Sequence, residues 1–265
     1  MTLRILFIAF TTLLSFLNTI AQDFEVAPVY TSFKVEAGNT ETRTLNIINH
    51  DDKTQIFNFT ISDYEVDENG STVKVKDGNT KRSLKKALTI SPSFVEIPPN
   101  GKAVVDLMLS IPGGDYNTKW GIISVEAANE RTINVDKGVT TGIVISPRIA
   151  VYVHQSPRSN NQYSAKVLSF VETTKEGDDK RTFETAVENV GGKIMGVSLQ
   201  LLLANISNGE EIELSTKKTN LHPDQKKTFS FSIDRPKPGK YALAVILDYG
   251  HNASIEGSQI MIEEK

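Results

Sequence analysis

The sequence predicts an all-β chain: two β-sandwiches in tandem behind a cleaved export signal. Three observations carry that reading. Apolar and polar residues alternate in run after run, as Val105, Leu107 and Leu109 do within Lys102–Ile111, which is the period of a strand with one buried face. The runs are punctuated by turn residues such as Asp67-Glu68-Asn69-Gly70 and Pro98-Pro99-Asn100-Gly101, which supply positive or fixed φ. Past the first 21 residues, no window holds a 3.6-residue apolar period for longer than a turn or two, so almost no helix is expected.

Taken in order, the chain opens with Arg4 and an apolar stretch from Ile5 to Ile20, then small residues at Thr19 and Ala21. The stretch is too short and too interrupted to span a bilayer. It reads as a signal peptide over residues 1–21, cut after Ala21. No transmembrane span is expected after it, since the best apolar run, Val197 to Ile206, is broken by Ser198, Gln200 and Asn205. There is no Cys, so the exported chain is held by its core alone, without disulfides. Net charge is −3, from 29 basic and 32 acidic residues. That balance lacks the basic footprint of a nucleic-acid binder.

The first domain is assigned to residues 22–156. Its expected strands are Val29–Glu36, Thr42–Asn49, Ile56–Tyr64, Ala87–Ile97, Lys102–Ile111, Lys119–Ala127 and a long last strand within Val139–Val153, interrupted at Pro147. The polar, turn-prone stretch Pro157–Asn161 has linker composition. The second domain, residues 162–265, offers Tyr163–Val171, Arg181–Asn189, Val197–Asn205, Glu210–Lys217, Lys226–Ile233, Gly239–Asp248 and Ser254–Ile262. Seven short strands in about 100 residues is the immunoglobulin-like expectation. The domains also rhyme: Ile97-Pro-Pro-Asn-Gly-Lys102 and Leu221-His-Pro-Asp-Gln-Lys226 each precede an alternating strand, which points to a duplicated topology.

No catalytic constellation is found, no cofactor is implied, and no enzyme is expected. His50, His154, His222 and His251 are far apart in sequence and read as exposed residues at turns and strand ends. Carboxylates lie in turns and tails, and no metal site is assigned; only Asp63–Asn69 has several oxygen ligands in one loop, as calcium requires. Trp120, the lone Trp, is expected to pack between sheets. Lys81, Arg82, Lys85 and Lys86 read as a solvated loop. Tyr249 and His251 flank Gly250 in a candidate contact loop.

Four pieces, in order, carry a resemblance over about 130 residues: Leu45-Asn-Ile-Ile-Asn49, Ile90-Ser-Pro-Ser-Phe-Val-Glu-Ile-Pro-Pro99, Trp120-Gly-Ile-Ile-Ser-Val125 and Arg148-Ile-Ala-Val-Tyr152. In these the first domain resembles the N-terminal domain of PapD-like periplasmic pilus-assembly chaperones. The two-domain layout, with Pro238-Gly-Lys-Tyr241 near its end, is similar to WxL-interacting cell-surface proteins. The chaperone resemblance implies that the last strand of the first domain lends alternating side chains to a partner's incomplete sandwich. Here those would be Val139, Thr141, Ile143 and Ile145, with the domain's own core as the competing use of the same alternation. It also implies two basic side chains that anchor a partner's terminal carboxylate. The family's second basic position falls near the uncharged Ala150, which leaves Lys34 and Arg148 as candidates. The expected function is that of a non-enzymatic, chaperone-like binding protein of the bacterial periplasm or cell surface. Its partner would be an envelope or surface protein subunit, held at an edge strand or an interdomain cleft. The alternative is a structural or adhesive envelope module of the WxL-interacting type, contacting peptidoglycan or a surface protein.

Overall fold

The computed structural model describes residues 23–76, 78, 80–128, 131–134, 142–250 and 255–265; residues 1–21, read as a signal peptide, lie outside them. All regular structure among the described residues is β. The N-terminal half contains β1 (Phe24–Ala27), β2 (Tyr30–Phe33), β3 (Thr40–Asn49), β4 (Gln55–Ser62), β5 (Tyr64–Val66), β6 (Thr72–Lys74) and β7 (Leu88–Ser91). It continues with β8 (Phe94–Ile97), β9 (Lys102–Ser110), β10 (Lys119–Ala127), β11 (Arg131–Asn134), β12 (Gly142–Ile145) and β13 (Arg148–Gln155). The C-terminal half contains β14 (Ala165–Glu172), β15 (Lys180–Asn189), β16 (Met195–Asn205), β17 (Glu211–Leu221), β18 (Lys226–Asp234), β19 (Gly239–Asp248) and β20 (Glu256–Glu264).

Each half is a two-sheet sandwich. The first packs a β1-β3-β9-β7 sheet on a β2-β13-β10-β4-β8 sheet. Strand alternation builds the core between them: Leu45 and Ile47 of β3 and Val105, Leu107 and Leu109 of β9 meet Phe57 of β4, Ile123 and Val125 of β10, and Val151 and Val153 of β13. The second packs β14-β15-β18 on β17-β16-β19-β20, around Phe183, Leu199, Leu201, Phe231, Leu243 and Val245.

Two stretches of the first sandwich, one of them an expected strand, are each divided between its sheets. Ala87–Ile97 becomes β7, paired with β9, and β8, paired with β4; the break falls at Pro92, which has no N–H to give a ladder. The N-terminal stretch does the same at Pro28: β1 pairs antiparallel with β3, and β2 pairs parallel with β13. β1, whose Phe24 and Val26 are core residues, lies before the first expected strand.

Arg181 closes a corner of the second sandwich. Its side chain, 9% exposed, donates Nε and Nη2 to Glu172 of β14 at 2.9 and 2.7 Å, and Nη1 to the Glu263 carbonyl and Glu264 Oε2 of β20 at 3.0 and 3.2 Å. The hydrogen bond from Arg181 holds the Glu172 carboxyl below its ordinary range, so the clamp's contribution is lost as pH falls through that range. Truncation leaves the Glu172 carboxylate without its cation and the Glu263 carbonyl without this donor, while Glu264 keeps Arg235. Arg181→Met is expected to cost about 2–3 kcal/mol, measured as a lower urea midpoint at pH 7 with a smaller deficit at acid pH.

Candidate functional site

The structure brings two features together on the outer face of the five-stranded sheet: an uncovered strand edge and a ring of aromatic side chains at the junction between the sandwiches.

The edge arises where β2 stops short. β2 covers β13 only from Tyr152 to Gln155, so Arg148–Val151 have no strand on that side among the described residues. The Tyr152 N–H donates to the Val29 carbonyl at 2.9 Å. Because strand N–H and C=O groups alternate sides with period two, Arg148 and Ala150 turn theirs to the same, open side. The ladder continues past Pro147: its carbonyl accepts from Ala127 N–H at 3.2 Å. Beyond it, β12 pairs with β11 in a hairpin, Ile143 opposite Ile133 and Ile145 opposite Arg131. The far side of β12 has no partner strand among the described residues. The interruption expected at Pro147 is present, and Val139 and Thr141 lie outside the described residues.

Lys34 and Arg148 are both exposed, but they are not neighbours. Lys34 follows Phe33, which is opposite Gln155, whereas Arg148 is seven residues back along β13, about 23 Å away. Arg148 is paired with Glu126 at 2.6 Å. Between them the same face carries Tyr30, Tyr152 and His154. Tyr152 is opposite Ile122 and Tyr30, and His154 is opposite Trp120 and Ser32.

The junction corrects the reading of the histidines. His154 of the first sandwich and His222 of the second are half-buried with ring centroids 5.6 Å apart, edge to face. His222 also meets Trp120 at 5.1 Å and Tyr64 at 6.2 Å. His154 bonds Tyr30 Oη through Nδ1 at 3.0 Å and Tyr64 Oη through Nε2 at 2.8 Å. Tyr64 is 2% exposed, and its hydroxyl is satisfied by Nε2. A neutral imidazole has one donor and one acceptor, so one of the two tyrosine hydroxyls donates to the ring and the other accepts from it. Burial pushes His154 down to about 4 and raises Tyr64. Burial, and then the neighbouring His154, pushes His222 down to about 4.

Trp120 and Arg82 also depart from expectation. Trp120 has the opposite strand parity to the core residues Ile123 and Val125, so it faces outward. It is nevertheless 5% exposed, because the second sandwich covers it. Its Nε1–H donates to the Tyr64 carbonyl at 2.8 Å. The Arg82 guanidinium lies over the indole at 5.5 Å. Arg82 is buried, not solvated: it donates to the Thr118 carbonyl at 3.3 Å and crosses to Asp224 of the second sandwich at 3.0 Å. Lys81 reaches the same carboxylate at 3.4 Å, and Gln225 donates to the Asp67 carbonyl at 3.0 Å. A cleft of about 220 Å³ remains, lined by Thr80, Arg82, Trp120, His222, Asp224 and Gln225 among others.

Other singled-out residues have local roles. Asp63 accepts from Gly78 N–H and Ser83 Oγ, and Asp67 accepts from the Asn69 and Ser71 N–H groups. No group of three or more His, Asp or Glu among the described residues is placed to hold a metal. Tyr249 is buried, and His251 lies outside the described residues. No helix among them is long and apolar enough to cross a membrane.

No protein-family model matches this sequence, and no curated protein matches it. Solved structures do. A chaperone–tip adhesin complex of CFA/I fimbriae biogenesis aligns with TM-score 0.50 at 15% identity, covering 91% of this chain and 98% of that one. The class 5 fimbriae chaperone CfaA aligns with TM-score 0.47 at 14% identity, covering 90% and 98%. A chaperone–tip subunit pre-assembly complex of archaic Csu pili from Acinetobacter baumannii gives TM-score 0.42 at 11% identity, covering 79% and 90%. The fold is that of PapD-like chaperones, with immunoglobulin-like sandwiches in both halves. The WxL-interacting likeness, and with it contact to peptidoglycan, finds no support in these matches.

Proposed function

We propose that this protein is a non-enzymatic, chaperone-like binding protein of the bacterial periplasm, which holds a partner polypeptide along the open side of β12 and β13. The observation that carries this reading is the half-covered β13. Its Arg148 and Ala150 turn peptide groups outward with no strand among the described residues to receive them, in line with a β12 equally uncovered among those residues. Such an edge adds an extended segment by main-chain bonds. The two-domain fold it shares with fimbrial chaperones supports a protein partner, and the mature domains are taken as residues 22–156 and 162–265, joined by 157–161. Lys34 and Arg148 sit at opposite ends of the face, so they do not form one carboxylate clamp. Lys34 stands at the junction end, and Arg148 flanks the open edge.

The test is partner capture from envelope extract. Ala150→Pro removes one outward donor, and Ile143→Asp with Ile145→Asp places charge on the hairpin strand. Each is expected to lower recovery of the wild-type partner at least tenfold while keeping a wild-type far-ultraviolet spectrum. Full recovery by both folded variants would rule out this edge.

A further inference from the structure

We infer that the contact between the two sandwiches is an acid-released joint, in which proton uptake by His154 and His222 frees the second sandwich from the first. The inference concerns the angle between the sandwiches and holds whether or not a partner occupies the β13 edge.

The geometry sets the two rings against each other from opposite sandwiches, 5.6 Å apart. The groups around them offer no counter-charge in contact. His154 faces Tyr30 of β2, Tyr64 of β5, Trp120 of β10 and His222. His222 faces Tyr64, Trp120 and His154, and neither of its ring nitrogens has a hydrogen-bond partner. A fixed cation, Arg82, lies over the same indole. Asp224, two residues on from His222, is engaged by Arg82 and Lys81, and Glu65 stands at the exposed rim of the cleft.

Protonation breaks this arrangement in three ways. An imidazolium has two donors and no acceptor, so a charged His154 can accept from neither Tyr30 nor Tyr64, and one of the two hydroxyls loses its acceptor. A charged His222 gains no carboxylate for the water it has lost. With both rings charged, two cations stand within one ring contact of each other, beside a third on Arg82.

The direction follows from linkage. Both rings sit near 4 in the closed joint, against about 6.5 when exposed to solvent. The open state therefore binds more protons between those values, and the joint loses stability as pH falls from 6.5 to 4. Each ring shifts the closed-to-open ratio by up to about 300-fold over that interval.

Trp120 is the single tryptophan and reports on the joint directly. The full mature chain is titrated from pH 8 to 4 by Trp120 emission, small-angle X-ray scattering and far-ultraviolet dichroism. The expected result is a red shift in emission and a larger radius of gyration on acidification, with the β spectrum retained. His222→Gln and His154→Gln should each remove one of the two protonations and move the transition to lower pH. The wild-type titration stands without the variants: NMR signals of the two imidazoles should move with the same midpoint as the expansion. Constant dimensions down to pH 4 overturn the inference. So does loss of the β spectrum in step with the emission change, because acid would then be unfolding the sandwiches and not the joint. An unchanged transition in both folded variants overturns it as well.

Discussion

Asn49→Ala is expected to cost about 3–4 kcal/mol, and Asn189→Ala about 2–3 kcal/mol. Asn49, fully buried, donates Nδ2 to three carbonyls, those of Lys53, Ile97 and Pro98 at 2.8, 3.0 and 3.1 Å, while its Oδ1 accepts from Asp51 N–H. Its own N–H donates to the Gly101 carbonyl. Asn189 repeats the device: Nδ2 to the Lys193 and Leu221 carbonyls at 2.8 and 2.9 Å, Oδ1 from Gly191 N–H, and N–H to the Gln225 carbonyl. The amide ties the end of one strand to the turn that leads into the next. Truncation removes these bonds from a buried corner, where the Pro98 carbonyl keeps a further donor, Gly101 N–H, and each missing bond costs about 1–3 kcal/mol. Asn→Asp keeps the size and removes the donors, so it should not rescue either site. Urea unfolding of the full chain checks this. A wild-type midpoint for Asn49→Ala or Asn49→Asp contradicts it.

The second large effect is at Trp120. Trp120→Ala is expected to cost about 3–5 kcal/mol, because the indole fills the space among Tyr64, His222 and Arg82 and its N–H satisfies the Tyr64 carbonyl. Trp120→Phe keeps most of the ring contact and loses the donor, which leaves a deficit of about 1 kcal/mol. The two variants separate packing from hydrogen bonding. Thermal unfolding followed by dichroism is the measurement, and equal losses in both would show that the carbonyl, not the ring, dominates.

Strand positions and the turn rhyme were legible because both are local. Val105, Leu107 and Leu109 of Lys102–Ser110 alternate into the core even though Val104 and Met108 are apolar on the exposed side, and a proline-containing turn precedes an alternating strand in each sandwich. What the rhyme did not reveal was its anchor. Asn49 is 48 and 49 residues from Ile97 and Pro98, and Asn189 is 32 from Leu221, and nothing in a period-two pattern marks an asparagine at a strand end as the closing group. A signal did exist: Asn49 and Asn189 each stand at the end of an alternating run, four residues before a Lys.

The junction was less legible for a related reason. Lys119-Trp-Gly-Ile-Ile123 has apolar residues on both parities, so alternation could not say that Trp120 faces outward. Arg82 lies in a polar stretch, and its acceptor Asp224 is 142 positions away. His154 and His222 became neighbours only once two sandwiches were placed against each other.

An uncovered strand is indiscriminate. Peptide groups that would welcome a cognate segment would also accept the same strand of a sister molecule, or any misfolded chain nearby. The ionic couple of Arg148 and Glu126 stands at the mouth of that strand, where a hydrophobic newcomer must strip water from two charges before it can settle. Under the proposed reading, Arg148, an anchor candidate in the sequence, instead acts with Glu126 as a guard of that edge.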